Sequence, residues 1–160
     1  MSSRSSAAAT HDPPCNCGTL RKAARRMSQL YDGMLEPCGI KLSQYQVLSH
    51  IEKAGGAPSM GELAASLVLD RSALARNLKP LEREGYVEQI RDETDGRSRL
   101  ASLTPAGKKK LAESQRVWRL AQERFDRVYG EERSRVLAAA LAELFSDEFQ
   151  ERFTSAEMRK

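Results

Sequence analysis

Apolar positions recur along this chain with a helical period over most of its length, and with a strand-like pattern in only one region. In residues 18–36, Leu20, Ala24, Met27, Tyr31 and Met34 stand alternately four and three apart, a heptad-like stripe suited to a partner helix. Pro37-Cys38-Gly39 ends that helix. Ser43 with Gln46 reads as a capping box opening a second helix, with Leu48 and Ile51 inward and Gly55-Gly56 closing it. Ser59 and Glu62 form another capping box, followed by Leu63 and Leu67. After Val68-Leu69, Asp70 is an N-cap and Gly85 a C-terminal stop, with Leu74, Leu78 and Leu81 on one face between them. Two short helices joined by so short a turn have helix-turn-helix spacing.

Beyond Gly85 the pattern changes. Residues 86–90 are strand-like, 91–98 form a charged loop with an Asp95-Gly96 turn signal, and 100–103 return as a second strand. Thr104-Pro105 caps and opens a long helix to Tyr129, with Leu111, Trp118 and Phe125 seven apart and Ser114, Ala121 and Val128 between them. Gly130 breaks it, and a last helix is expected over 131–149, with Leu137, Ala140, Leu141, Leu144 and Phe145 as its apolar face and a frayed tail after Phe153. The fold class this predicts is mainly α with a small β-hairpin wing. A winged helix-turn-helix over 40–104 is flanked by dimerisation helices at 15–39 and 105–153, and a Ser-, Ala- and Pro-rich flexible tail occupies 1–14.

Charge sharpens this picture. The net charge is +4, and its location matters more than its size. Residues 71–110 hold ten Lys/Arg against six Asp/Glu, whereas 1–70 hold seven against six and 111–160 nine against ten. The surplus therefore sits on the proposed reading unit, as a phosphate-neutralising surface requires. On the helix after Asp70, Arg71, Ser72, Ala75, Arg76 and Lys79 lie away from the leucine face, and the small residues allow close approach to base edges. Arg76 has the fork for a guanine, and Asn77 the amide for an adenine where it faces the groove. A merely solvated basic face is the alternative. Pro80 removes a donor inside this helix, and either kinks it along a groove or is tolerated structure.

The blocks Asp70-Arg71-Ser72-Ala73-Leu74-Ala75-Arg76-Asn77-Leu78, Leu81-Glu82-Arg83-Glu84-Gly85-Tyr86-Val87, Asp95-Gly96-Arg97-Ser98-Arg99 and Leu103-Thr104 resemble the MarR family of bacterial transcriptional regulators, over roughly residues 18–150. The resemblance implies a homodimer with one recognition helix per subunit in successive major grooves of an inverted-repeat operator. Repression is the family default. DNA contacts would come from Arg71, Ser72, Ala73, Ala75, Arg76, Asn77 and Lys79 on the helix. In the wing, Arg97 would enter the minor groove, held by Asp95, with Arg91 and Arg99 on phosphates. An inserted arginine suits the enhanced negative potential of a narrow minor groove; a surface Asp95–Arg97 ion pair is the plain alternative.

The signal is less legible. Cys15 and Cys17 stand at the start of the first helix near Arg21 and Lys22, and helix N-termini and cations both make thiols reactive. Cys17 also falls where the organic-hydroperoxide-sensing branch of the family carries its reactive cysteine. Tyr31 matches one of that branch's tyrosines, and Arg21 and Leu42 depart from others. A small apolar-aromatic ligand in the crevice between dimer helices and wing domain is the competing trigger. Cys15, Cys17 and His11 fall short of a four-ligand zinc site, so no metal and no cofactor is expected. There is no phosphate loop and no HExxH, and His11 and His50 are the two histidines; an enzyme is not expected. No apolar run approaches the ~18 residues of a membrane span and the N-terminus lacks a secretory core, so a cytoplasmic protein is expected. Two readings from other classes remain: a winged-helix protein-interaction module that binds no DNA, and a thiol-based redox or metal-sensing protein.

Overall fold

A computed structural model describes residues 15–92 and 98–156. The chain runs α1 (Asn16–Leu35), a 3-10 turn (Glu36–Cys38), α2 (Leu42–Lys53), α3 (Met60–Ser66), α4 (Arg71–Arg83), β1 (Val87–Arg91), β2 (Arg99–Leu103), α5 (Pro105–Tyr129), α6 (Glu131–Leu144) and α7 (Asp147–Ser155). It is mainly helical with one antiparallel hairpin, as the periodicity predicts.

Local chemistry accounts for most boundaries. Ser59 accepts the Glu62 amide at 3.2 Å while Glu62 accepts the Ser59 amide at 2.8 Å, the reciprocal box that starts α3. Those hydrogen bonds hold the Glu62 carboxyl below its ordinary range. Asp70 Oδ1 accepts the Ala73 amide at 2.7 Å and starts α4. Val68 takes a left-handed φ of 52° in the turn between them. Gly85, at φ 71°, ends α4. Thr104 Oγ1 accepts the Gly107 amide at 3.0 Å and starts α5.

Three expectations need correction. The second helix opens two residues earlier than the Ser43–Gln46 pair implies. Lys41 is its N-cap, Gln44 Oε1 accepts the Lys41 amide at 2.8 Å, and Asp32 Oδ1 accepts the Leu42 amide at 2.7 Å. A carboxylate reaching over from α1 displaces the local cap. The last helix is not continuous to Phe149: α6 stops at Leu144, and Ser146 Oγ accepts the Phe149 amide at 3.2 Å to start α7. Helix also persists to Ser155, past the expected fraying point.

One core joins α2, α3, α4 and the hairpin to the end of α1 and the start of α5. Leu35, Ile40, Leu48, Ile51, Leu63, Leu74, Leu78, Leu81, Val87, Leu103 and Leu111 are all buried in it. The α4 leucine stripe thus faces inward, which turns the opposite stripe to solvent. The hairpin pairs Val87 with Leu103 at its base and Arg91 with Arg99 at its far end. It is pinned to the start of α3 by the Ala101 amide, which donates to Pro58 O at 2.9 Å, and by a bridge between Ser59 and Leu100. Outside this unit, α5 supports α1. Tyr31 Oη donates to Gln122 Oε1 at 3.0 Å, and burial, then Asp126, raises the Tyr31 pKa. Tyr45 of α2 stacks on Trp118 of α5 with centroids 5.7 Å apart.

Candidate nucleic-acid interface

Ser72, Ala75, Arg76 and Lys79 follow i, i+3, i+4, i+7 spacing, so they form a second stripe on α4 opposite the leucines. All four are exposed, and Arg71 is exposed beside them. The stripe is small in the middle and basic around it, the shape needed to bring backbone close to a groove. Ala73 is half-buried on the flank. Asn77 is also half-buried, and its Nδ2 donates to Ala73 O at 3.1 Å, so its amide is turned back onto its own helix. Reading an adenine with Asn77 requires that bond to open.

The wing adds two further cations. Arg91 and Arg99 are exposed and sit directly opposite each other in the last described pair of the hairpin. Like charges placed so are unfavourable for the sheet alone. They suit a surface that meets an anion. Asp95 and Arg97, the expected minor-groove pair, lie outside the described residues.

The fold also brings helix and wing together. Arg71 of α4 and Arg99 of β2 line one cleft of about 460 Å³, with Ser59, Met60, Gly61 and Ser98. Sequence reasoning read Ser59 only as a cap and did not join it to the basic residues. The signal lies in the hairpin register, which no local pattern displays. Among the described residues, none of Arg71, Arg76, Lys79, Arg91 and Arg99 is in an ion pair; the four ion pairs found there involve other side chains. These cations keep their charge available to a ligand.

The expected sensor thiols lie apart from this surface. Cys15 and Cys17 are exposed at the start of α1, where the Gly18 amide donates to Cys15 Sγ at 3.4 Å. Cys38 is buried, and burial, then Glu113, pushes its thiol pKa up. Among the described residues no three His, Cys, Asp or Glu side chains are grouped to hold a metal ion; His11 lies outside them. The ligand crevice was expected between the dimer helices and the wing domain; Tyr45 of α2 stacks on Trp118 of α5 in that region. An apolar cavity of about 520 Å³ opens between α1 and α5, lined by Met27, Leu30, Tyr31, Met34, Phe125 and Tyr129 among others.

A helix-turn-helix whose second helix presents a free basic stripe, beside a basic-edged hairpin, defines a winged helix-turn-helix protein. A MarR-family sequence model matches residues 39–98. The chain is 33% identical to the M. tuberculosis transcriptional regulator MosR in complex with DNA, at a TM-score of 0.70, covering 80% of this chain and 93% of that one. The chain belongs to the MarR family of transcriptional regulators. It is also 33% identical over 100 residues to the transcriptional activatory protein BadR of Rhodopseudomonas palustris, a match spanning 61% of this chain and about half, 53%, of BadR. The DNA-bound transcriptional repressor CouR shares the fold, with a TM-score of 0.75 at 22% identity over 82% of this chain and 93% of that one.

Proposed function

We propose that this protein is a sequence-specific DNA-binding transcriptional regulator that sits as a two-fold homodimer on an inverted-repeat operator in the cytoplasm. The observation carrying this is the unpaired basic stripe of α4, continuous through the Arg71–Arg99 cleft with the Arg91–Arg99 pair. Arg76 reads a base, Ser72 and Ala75 permit the approach, and Arg71, Lys79, Arg91 and Arg99 neutralise phosphates. Arg97, steadied by Asp95, enters the minor groove. MosR, 33% identical and solved with DNA, supports DNA binding by this chain.

The dimer is supported by apolar side chains that the single chain leaves exposed: Leu20 and Leu30 on α1, Leu120 and Val128 on α5, Val136, Leu141 and Leu144 on α6, and Phe145 just beyond α6. Repression follows from a dimer occupying a promoter, and activation, the activity in BadR's name, is the opposite outcome of a reporter assay. Release from DNA is assigned to an effector. The exposed Cys15 and Cys17 support an oxidant, and the α1–α5 cavity supports a small apolar-aromatic ligand. No helix among the described residues is long and apolar enough to cross a membrane.

The test compares an operator selected from random duplexes with unrelated DNA. Arg76→Ala is expected to lose ~1–3 kcal/mol on the operator and little on unrelated DNA. Equal loss on both removes Arg76 from base reading.

A further inference from the structure

We propose that Lys110 is a positioning residue that fixes the angle between the DNA-reading unit and the flanking helices α1 and α5, and through it the operator spacing the dimer accepts. This rests on the DNA-binding, dimeric reading above.

Lys110 stands on the second turn of α5 with a side chain only 17% exposed. Its Nζ donates to Cys38 O at 2.8 Å and to Glu113 Oε2 at 2.9 Å, and lies 5.7 Å from the centroid of the Tyr86 ring. These partners belong to three different places. Cys38 is the last residue of the turn that leaves α1. Tyr86 is the residue after Gly85, where the recognition helix hands over to the wing. Glu113 is on α5 itself.

Tyr86 is rigidly coupled to both sides. Its amide donates to Leu81 O at 2.8 Å in the last turns of α4, and its carbonyl accepts the Thr104 amide at 3.1 Å at the start of α5. Thr104 Oγ1 also donates to Gly85 O at 2.6 Å. A tilt of α4 must therefore move the Tyr86 ring beneath the ammonium. A largely buried lysine needs partners to offset the water it gives up. Glu113 holds it charged, raising its pKa above the ordinary 10.5. An apolar residue would fill the same space, but only a hydrogen-bonding cation makes the α1–α5–Tyr86 arrangement directional, because such bonds weaken steeply with misalignment.

The experiment uses the full chain, operators with the selected spacing or one base pair more, and a single half-site. Lys110→Met keeps the aliphatic stem and removes the donors. Its affinity for the selected operator is expected to fall about tenfold, with half-site affinity unchanged and the preference for the selected spacing flattened. Lys110→Arg restores most of the preference. If Lys110→Met fails to fold, Tyr86→Leu, which removes the ring and leaves both hydrogen bonds, is expected to move the spacing preference in the same direction. Equal losses on half-site and operator, or an unchanged spacing preference, overturn the proposal. A wild-type chain that binds no DNA at all overturns the parent reading instead.

Discussion

At Gly107, a Cβ would lie 1.9 Å from the Tyr86 carbonyl oxygen and 2.9 Å from its carbon. Nothing there can rotate out of the way, because the obstacle is backbone. The absence of a side chain is what lets α5 begin against the exit of the recognition helix. Gly107→Ala must separate the two, at a cost typical of overpacking or above it, ~1–3 kcal/mol or more. The melting temperature should fall by several degrees, on the order of 2–4 °C per kcal/mol for this size. An unchanged melting temperature would mean that this junction yields freely. In the sequence Gly107 is only the third residue after Thr104, and nothing local marks it. The same holds for Lys110, one of three consecutive lysines, of which the fold selects one for burial.

At the scale of elements, the caps written in short-range code were legible: Ser59 with Glu62, Asp70, Gly85, and Thr104 with Pro105. Those set by neighbours were not. The α2 boundary depends on Asp32, ten residues away on α1. The break between α6 and α7 depends on Ser146, whose capping role competes with a continuous apolar pattern. The packing of α2 on α3 carries its own prediction. Ser66 Oγ donates to Leu63 O at 3.0 Å, so His50 Nδ1, 3.1 Å from Ser66 Oγ, is the donor between His50 and Ser66. Burial, then Lys53, lowers the His50 pKa below its ordinary 6.5. His50 lines a cavity with Lys53 of α2 and with Glu62 and Ser66 of α3. A depressed histidine binds fewer protons folded than unfolded, so its contribution is present above the unfolded value and is lost as pH falls through the folded one. Melting temperature should decline from pH 7.5 to 5.5 in the wild type, and less in His50→Gln. Identical slopes would show that another group governs that range. Glu62 is separable, since its lowered pKa acts below the ordinary 4.5.

For the whole molecule, the apolar stripes on α1, α5 and α6 were legible as helical faces. The structure shows how much of them one chain leaves uncovered: Val128 is 82% and Phe145 67% exposed. These uncovered apolar side chains are the surface the proposed dimer would bury. Leu144→Glu with Phe145→Glu should shift the chain from dimer to monomer in light scattering; a persistent dimer would move the interface elsewhere. The exposed basic stripe of α4 was also legible, because its spacing is local. The cleft joining Arg71 to Arg99 was not, because it exists only once β2 pairs with β1 and with the start of α3. The measurement that bears most directly on the central proposal is DNA affinity as a function of salt. If Arg71, Lys79, Arg91 and Arg99 of both subunits neutralise phosphates, log affinity should fall against log salt with a slope of about −7, and substituting one of these residues with alanine should reduce that slope. Weak binding with no salt dependence would contradict the proposal and leave the winged helix as a surface for protein partners.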